Sequence, residues 1–420
     1  MQPSITTLDN GLRIITAMRP DNHTVSLGIW VKTGAACETK SENGISHFLE
    51  HTVFKGTPTR TSLQVDEEIE NAGGQTNAYT SREFTAFYAK MLKDDAELAL
   101  DVLSDIFQNA TFPEAELKKE KEVVVQEIKQ TIDTPDDIIF DYLQEQAFAN
   151  QALGRTILGP AENVRAFSSD DLRRYRTNHY AAENTVLCAV GNINHTDFVN
   201  MVKQRFSTFR PHINFTRDAQ TYTGGFFAEP RPIEQAHILL GFEGLKYTDP
   251  YYYPCTVMST IFGGGSTSRL FQEIREKRGL VYTTYSFSNS HSERGLFGIY
   301  AGTTRQELQT LMPVVCDEIK KICNQAVSDA ELQRAKTQLK ASMLMSLESS
   351  SSSSEILARQ MLIFDRIIPV EEMVERIENV SKQDILTIAE RIFSSTPSYT
   401  LVGDIDGHPD YAQIQTALRR

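Results

Sequence analysis

The sequence predicts an α+β protein of two similar domains, each a mainly antiparallel sheet packed with helices. Three observations predict this fold class. Strand-like and helix-like segments alternate in the first half, the same order returns from about residue 226, and residues 113–119 match residues 328–334 at an offset of 215 positions. The 420 residues are enough for such a duplication. Residues 209–225 show neither the helical nor the strand periodicity of apolar residues. We therefore place the predicted domains at residues 1–215 and 216–420.

In the first half, apolar and β-branched residues predict two strands, at residues 12–16 and 25–31. A helix is expected from Ser46, and another follows the capping residues Thr61 and Ser62. The remaining predicted elements of this half are a strand-like stretch at residues 76–90 and amphipathic helices at residues 96–108 and 113–131.

The second half repeats this order. Its apolar patterns again alternate between the two periodicities, which is what a duplicated unit requires. The predicted elements are strand-like residues 236–242, helix-like residues 252–262 and 269–277, and strand-like residues 281–287 and 298–301.

The net charge argues against a nucleic-acid partner. Asp and Glu total 55 against 42 Lys and Arg, a formal charge of −13. This excess would repel phosphates. A basic or neutral substrate is therefore expected.

The lack of a recognisable targeting signal and the sparse cysteines favour a reducing compartment. The first residues show no basic segment followed by an apolar segment, which is the pattern of a secretory signal peptide. No apolar run reaches the ~18 residues that span a bilayer. The five cysteines are irregularly spaced and form no CxxC pair. We expect a cytoplasmic protein without membrane insertion.

The strongest chemical signal is the pentapeptide HFLEH at residues 47–51. On a helix, His47, Glu50 and His51 share one face because positions i, i+3 and i+4 are neighbours. Two imidazoles one turn apart can chelate zinc, and the intervening carboxylate can take a proton from water. The order is that of the inverzincin signature. The pattern predicts a catalytic zinc site that needs a third ligand.

The third ligand is sought on the helix at residues 113–131. Glu120 and Glu127 lie two turns apart and share a face with Val124 and Ile128. A carboxylate that served only as a solvated surface group would not share an apolar face. From the residues alone, either glutamate could reach the metal.

Longer motifs identify a resemblance to the M16 (pitrilysin, inverzincin) zinc peptidase family, in the branch of mitochondrial processing peptidase and its bacterial homologues. The resemblance runs nearly end to end and includes GISHFLEH at residues 44–51, FKGT at 54–57 and NAYTSREFT at 77–85. Glu127 follows His51 by 76 positions, which is the family's spacing for its third ligand. The resemblance implies a zinc metalloendopeptidase that cleaves extended, unstructured, basic presequence-like peptides.

The resemblance also implies a role for each residue of the motif. His47, His51 and Glu127 would bind Zn²⁺, and Glu50 would be the general base. Glu120 would support the ligand shell or an early catalytic step.

Three further residues resemble the family's substrate-binding groups. Phe54 resembles an aromatic residue that lines the pocket just beyond the cleaved bond, and a core aromatic is the alternative. Asn77 and Ala78 resemble an edge strand on which relatives bind substrate by strand addition. An interior strand is the alternative for this segment.

Two features of the second half resemble family features. Residues 263–265 resemble a glycine-rich loop, and Arg275 and Tyr282 resemble the family's Arg and Tyr pair. In relatives these groups reach the active site from the partner protomer or a fused repeat. Arg275 would hold the substrate main chain, and Tyr282 would donate to the oxyanion. The alternative for Arg275 is a surface ion pair, and the alternative for Tyr282 is a packed strand residue.

The two halves differ in their metal ligands. No HxxEH occurs in the second half, and Ala335 and Ser342 stand at the 215 offset from Glu120 and Glu127. One chain thus carries one metal site together with Arg275 and Tyr282. The resemblance implies a homodimer whose two sites face an enclosed chamber. The alternatives are a catalytic subunit paired with an inactive paralogue, and a non-catalytic scaffold of the same family.

Overall fold

The computed structural model describes residues 2–419. Strands and helices alternate in it as the sequence pattern predicts. The strands are β1 Ser4–Thr7, β2 Arg13–Met18, β3 Thr24–Val31, β4 Gln75–Thr80, β5 Thr85–Leu92, β6 Thr185–Gly191, β7 Gly225–Pro230, β8 Gln235–Gly244, β9 Thr283–Ser290, β10 Gly295–Thr304 and β11 Ser398–Gly403. The helices are α1 Ile45–Thr52, α2 Ser62–Asn71, α3 Ala96–Asn109, α4 Glu114–Asp133, α5 Pro135–Ala147, α6 Ala161–Ala166, α7 Ser169–His179, α8 His195–Phe206, α9 Tyr252–Gly263, α10 Leu308–Asn324, α11 Asp329–Ser346, α12 Ser350–Phe364, α13 Val370–Glu378, α14 Lys382–Phe393 and α15 Tyr411–Leu418.

The chain forms two compact units. Unit 1 comprises Met1–Lys129, Thr156–Asp218 and Leu344–Ile367, and unit 2 comprises Gln130–Arg155, Ala219–Met343 and Ile368–Arg420. Each unit therefore takes one helical segment from the other half of the sequence. The limits 1–215 and 216–420 remain a proposal about the duplicated halves.

Unit 1 is built on a six-stranded sheet in the order β1-β2-β6-β3-β5-β4. The β2/β6 pair is parallel and the other pairs are antiparallel. Strand β3 has the continuous apolar character of a strand covered on both faces, and seven of its eight residues are buried. Strand β4 lies at one edge and pairs only with β5 among the described strands. Its other edge is thus available for main-chain hydrogen bonds.

Unit 2 repeats the arrangement with a five-stranded sheet in the order β7-β11-β8-β10-β9. Its β11/β7 pair is parallel, as β2/β6 is in unit 1, and its remaining pairs are antiparallel. Leaving β1 aside, the two sheets match position by position. This correspondence confirms the predicted α+β fold of two similar halves.

Two predicted elements differ from the structure. Residues 76–90 form two strands, β4 and β5, because a tight turn closes where the N–H of Phe84 donates to Ser81 Oγ over 3.0 Å. Residues 269–277 contain a π-helix at Phe271–Glu276, in which Lys277 N–H donates to the Gln272 carbonyl. None of the helices within residues 2–419 is both long enough and apolar enough to cross a bilayer.

Candidate metal centre

The site begins at the N-terminus of α1. Gly44 is the N-cap residue and has φ of +98°, a left-handed conformation that suits glycine. A Cβ here would lie 2.6 Å from the Leu158 carbonyl oxygen, so a larger residue would also collide with the neighbouring chain. Glycine has no side chain to cap the helix. The buried Glu38 carboxylate accepts instead from the N–H groups of Gly44 (2.9 Å) and Ser46 (2.8 Å).

The two faces of α1 have different roles. Phe48 and Leu49 are fully buried in the core of unit 1, and they anchor the helix against the sheet. Burial of each such side chain contributes about 1.5–3 kcal/mol. His47 and His51 occupy the opposite stripe, with ring centroids 4.6 Å apart and an interplanar angle of 69°. Core packing thus fixes the direction of both imidazoles.

Helix α4 brings two carboxylates to these histidines. Glu127 Oε2 lies 3.7 Å from His47 Nε2 and 3.5 Å from His51 Nε2. Glu120 Oε1 lies 2.9 Å from His51 Nδ1, on the other side of the same ring. The structure therefore separates the two glutamates that the sequence left as alternatives: Glu127 faces both Nε2 atoms, and Glu120 contacts His51 from behind.

Burial and charge set the protonation of the histidines. Burial, assisted by the nearby His51, lowers the pKa of His47 to about 3, so its imidazole is neutral near pH 7. Burial also acts to lower the pKa of His51, but the hydrogen bond to Glu120 and the surrounding carboxylates outweigh it and raise the pKa. A neutral imidazole is the form that binds a metal.

Glu50 lies on the same helix, three positions after His47 and immediately before His51. Burial raises the pKa of its carboxyl group, against hydrogen bonds from Thr80 that lower it. A raised pKa makes a carboxylate a stronger base than a solvent-exposed one, which favours proton transfer from water. The environment of Glu50 therefore suits a general base.

The donor set fits a divalent zinc ion. One donor atom each from His47, His51 and Glu127 lies within 4.8 Å of the other two. Ligands about 2.0–2.2 Å from a tetrahedral zinc are about 3.3–3.6 Å apart, close to the Nε2 to Oε2 separations of 3.5 and 3.7 Å. Three protein ligands of nitrogen and oxygen leave one vertex free, as catalytic zinc sites do. The residues present thus fit the metal.

The predicted substrate-binding residues of the first half lie in unit 1. Phe54 is partly buried against the core, with its ring centroid 6.5 Å from that of Phe87. Asn77 and Ala78 lie on the edge strand β4, and the Ala78 N–H donates to Asn77 Oδ1 over 2.8 Å. The edge position removes the interior-strand alternative for this segment.

Arg275 and Tyr282 lie in unit 2. The Arg275 guanidinium sits 4.6 Å from the ring centroid of Phe271 within the π-helix. Tyr282 precedes β9 and is 60% exposed. An exposed tyrosine is not the packed strand residue considered as its alternative.

Sequence reasoning missed two residues that support this site, Glu38 and Lys55. Glu38 caps α1, and no short motif links a loop glutamate to a helix that starts several residues later. Lys55 Nζ lies 2.9 Å from Glu120 Oε2. The signal for Lys55 was present, because it follows His51 by four positions, one helical turn.

Two imidazoles and a carboxylate on a sheet-and-helix unit define a candidate hydrolase-type metal centre. The family described as "Insulinase (Peptidase family M16)" matches residues 13–161, and that described as "Peptidase M16 inactive domain" matches residues 166–339. The chain belongs to peptidase family M16.

Relatives extend over nearly the whole chain. A Rickettsia felis protein named "Uncharacterized zinc protease" is 38% identical over 404 residues, covering 96% of this chain and 98% of that protein. The Bacillus subtilis protein named "Uncharacterized zinc protease YmxG" is 35% identical over 404 residues, again covering 96% of this chain and 98% of that protein. The mitochondrial-processing peptidase subunit beta of Bos taurus is 34% identical and covers 99% of this chain and 87% of its own.

Solved structures share the fold. A protease from Helicobacter pylori superposes with a TM-score of 0.90 at 19% identity, covering 96% of this chain and 99% of its own. A Pseudomonas fluorescens structure titled as a peptidase M16 inactive domain gives a TM-score of 0.90 at 17% identity, covering 98% and 100%. These structures support the two-sheet architecture.

Proposed function

We propose that this chain is a zinc-dependent metalloendopeptidase that hydrolyses extended, unstructured peptides. The observation that carries the proposal is the convergence of His47, His51 and Glu127 around one point, with Glu50 on the same helix. Relatives named zinc proteases and mitochondrial-processing peptidase subunit beta support the same activity.

His47 Nε2, His51 Nε2 and Glu127 Oε2 would hold the metal. A zinc ion there supplies a water of lowered pKa and an electrophile for the scissile carbonyl. Glu50 accepts the proton of the attacking water, since burial raises its pKa and makes it a stronger base. It then returns that proton to the leaving amine. Glu120 holds the His51 ring in place through Nδ1.

Edge strand β4 is the proposed substrate-binding element. An extended peptide that adds to this edge gains main-chain hydrogen bonds without a requirement for particular side chains. Asn77 and Ala78 would make these contacts, and Phe54 would line the pocket just beyond the cleaved bond. Segments already paired within a folded protein cannot offer their main-chain groups in this way, so strand addition favours extended, unstructured peptides.

The second half is proposed to complete the site from another copy of the chain. Arg275 and Tyr282 would hold the substrate and donate to the oxyanion in a homodimer with an enclosed chamber. The charge of −13 favours basic peptides if the acidic groups line that chamber. A cytoplasmic location remains part of this proposal.

One assay tests the proposed activity. Zinc content and cleavage of a basic, presequence-like peptide are measured with and without a chelator, for the wild type and for Glu50→Gln. We expect chelator-sensitive cleavage, and a Glu50→Gln variant that retains zinc but loses most hydrolysis. Hydrolysis that persists without metal, or full activity in Glu50→Gln, would refute the proposal.

A further inference from the structure

Lys55 ends a chain of charged contacts that leads to the metal ligands. It is the last residue of the short 3₁₀ turn Val53–Lys55, which follows α1 directly. Its Nζ lies 2.9 Å from Glu120 Oε2, and the other oxygen of the same carboxylate, Oε1, lies 2.9 Å from His51 Nδ1. Each oxygen of the Glu120 carboxylate thus has its own partner.

This contact differs from an ordinary surface ion pair. The Glu120 side chain is only 10% exposed and that of Lys55 is 26% exposed, so solvent screens their attraction weakly. An ammonium group can only donate, so it leaves Glu120 as an acceptor towards His51.

We propose that Lys55 is a positioning residue of the metal centre: it fixes the Glu120 carboxylate, which then holds His51 with Nδ1–H towards Glu120 and Nε2 towards the metal. This inference rests on the proposed metallopeptidase function. Partners that orient a ligating histidine affect metal affinity as well as rate. Lys55 therefore contributes to zinc binding through Glu120, without itself touching the metal.

The test is the zinc dissociation constant, measured by competition with a chromophoric chelator. Lys55→Met removes the ammonium group and should weaken zinc binding about tenfold. Lys55→Arg keeps a cationic donor and should recover most of that loss. The matched control is Lys119→Met, which removes the same charge from α4 beside Glu120 but breaks only an exposed pair with Glu116. The control should retain wild-type affinity.

A double-mutant cycle tests the route through Glu120. In a Glu120→Gln background, Lys55→Met should cause no further loss of zinc affinity. If Lys55→Met lowers zinc affinity equally in the wild-type and Glu120→Gln backgrounds, the proposal is overturned. It is also overturned if Lys55→Met leaves zinc affinity unchanged, or if the Lys119→Met control loses as much affinity as Lys55→Met. If Lys55→Met does not fold, as thermal unfolding of the metal-free protein would reveal, Lys55→Gln replaces it with the same expectations.

The outcomes separate this inference from the proposed function. If the wild type binds no zinc, the proposed function fails. If the wild type binds zinc and hydrolyses peptides while Lys55→Met binds zinc equally well, only the positioning role of Lys55 is refuted.

Discussion

The Glu38 carboxylate accepts a hydrogen bond from the main-chain N–H of Ser46 over 2.8 Å, one residue before His47. A loop residue thus completes the N-terminus of the helix that carries the histidines. Because Gly44 lacks a side chain, the orientation of this helix depends on a carboxylate that is itself buried.

This burial predicts a pH dependence of stability. Burial raises the pKa of Glu38 from 4.5 to about 7, against opposing hydrogen bonds from Asn43, Ser46 and Gly44. The folded protein therefore retains a proton that the unfolded chain releases between these values. The contribution of Glu38 to the free energy of unfolding is fully present below about pH 4.5 and is lost as the pH rises to about 7.

The expected size of this loss is about 3 kcal/mol. Urea unfolding of the metal-free wild type and of Glu38→Gln, repeated across this pH range, measures it. The glutamine variant does not titrate, so the difference between the two free energies should change with pH. A constant difference would contradict the prediction.

Gly44→Ala should destabilise the protein and weaken zinc binding. The added Cβ meets the Leu158 carbonyl oxygen at 2.6 Å in a backbone conformation with φ of +98°. Gly11→Ala is the matched control, since Gly11 has φ of +90° with no atom within 4 Å of the added Cβ. We expect Gly44→Ala to cost about 1–3 kcal/mol more than the control. If Gly44→Ala and Gly11→Ala lower the free energy of unfolding by the same amount, the contact with the Leu158 carbonyl does not affect stability.

Ala78→Pro should impair substrate binding and spare the fold. The N–H group of Ala78 donates to the side chain of the neighbouring Asn77. This N–H is therefore not part of the β4/β5 ladder. Proline is tolerated at such edge positions, but it cannot donate to an added strand. We expect a raised KM for extended peptides, with wild-type zinc content and thermal stability. An unchanged KM would argue against strand addition at this edge.

Complementation tests whether Tyr282 acts in the partner's site. Glu50→Gln and Tyr282→Phe chains with different tags are co-expressed, and the mixed dimers are isolated. If Tyr282 serves the other protomer, each mixed dimer holds one intact site, so the isolated mixed dimers should recover about half of the wild-type activity. No recovery would place Tyr282 in its own chain's site, and full activity of the Tyr282→Phe homodimer would place it outside the chemistry.

Local patterns predicted much of the fold. Strand β3 and helix α3 are close to their expected positions because their apolar periodicity is regular and their boundaries carry clear signals. The turn at residues 81–84 was missed because it contains neither glycine nor proline. The placement of Leu344–Ile367 in unit 1 depends on long-range packing, such as the 3.0 Å contact between Ser351 Oγ and Ser26 Oγ, which no local pattern encodes.

The candidate site was predictable to the extent that helical spacing determines it. His47, Glu50 and His51 share a face by spacing alone, whereas the distinct positions of Glu120 and Glu127 depend on how α4 packs against α1. The contact of Lys55 with Glu120 likewise depends on this packing. The Glu38 side chain reaches the main-chain N–H of Gly44 through an irregular loop that no motif marks.

Anomalous diffraction at the zinc absorption edge tests the central claim most directly. Crystals grown with one equivalent of zinc should show a single strong peak in each chain, about 2.0–2.2 Å from His47 Nε2, His51 Nε2 and a Glu127 carboxylate oxygen. No peak at this position, or a zinc ion bound without Glu127, would contradict the proposed metal centre.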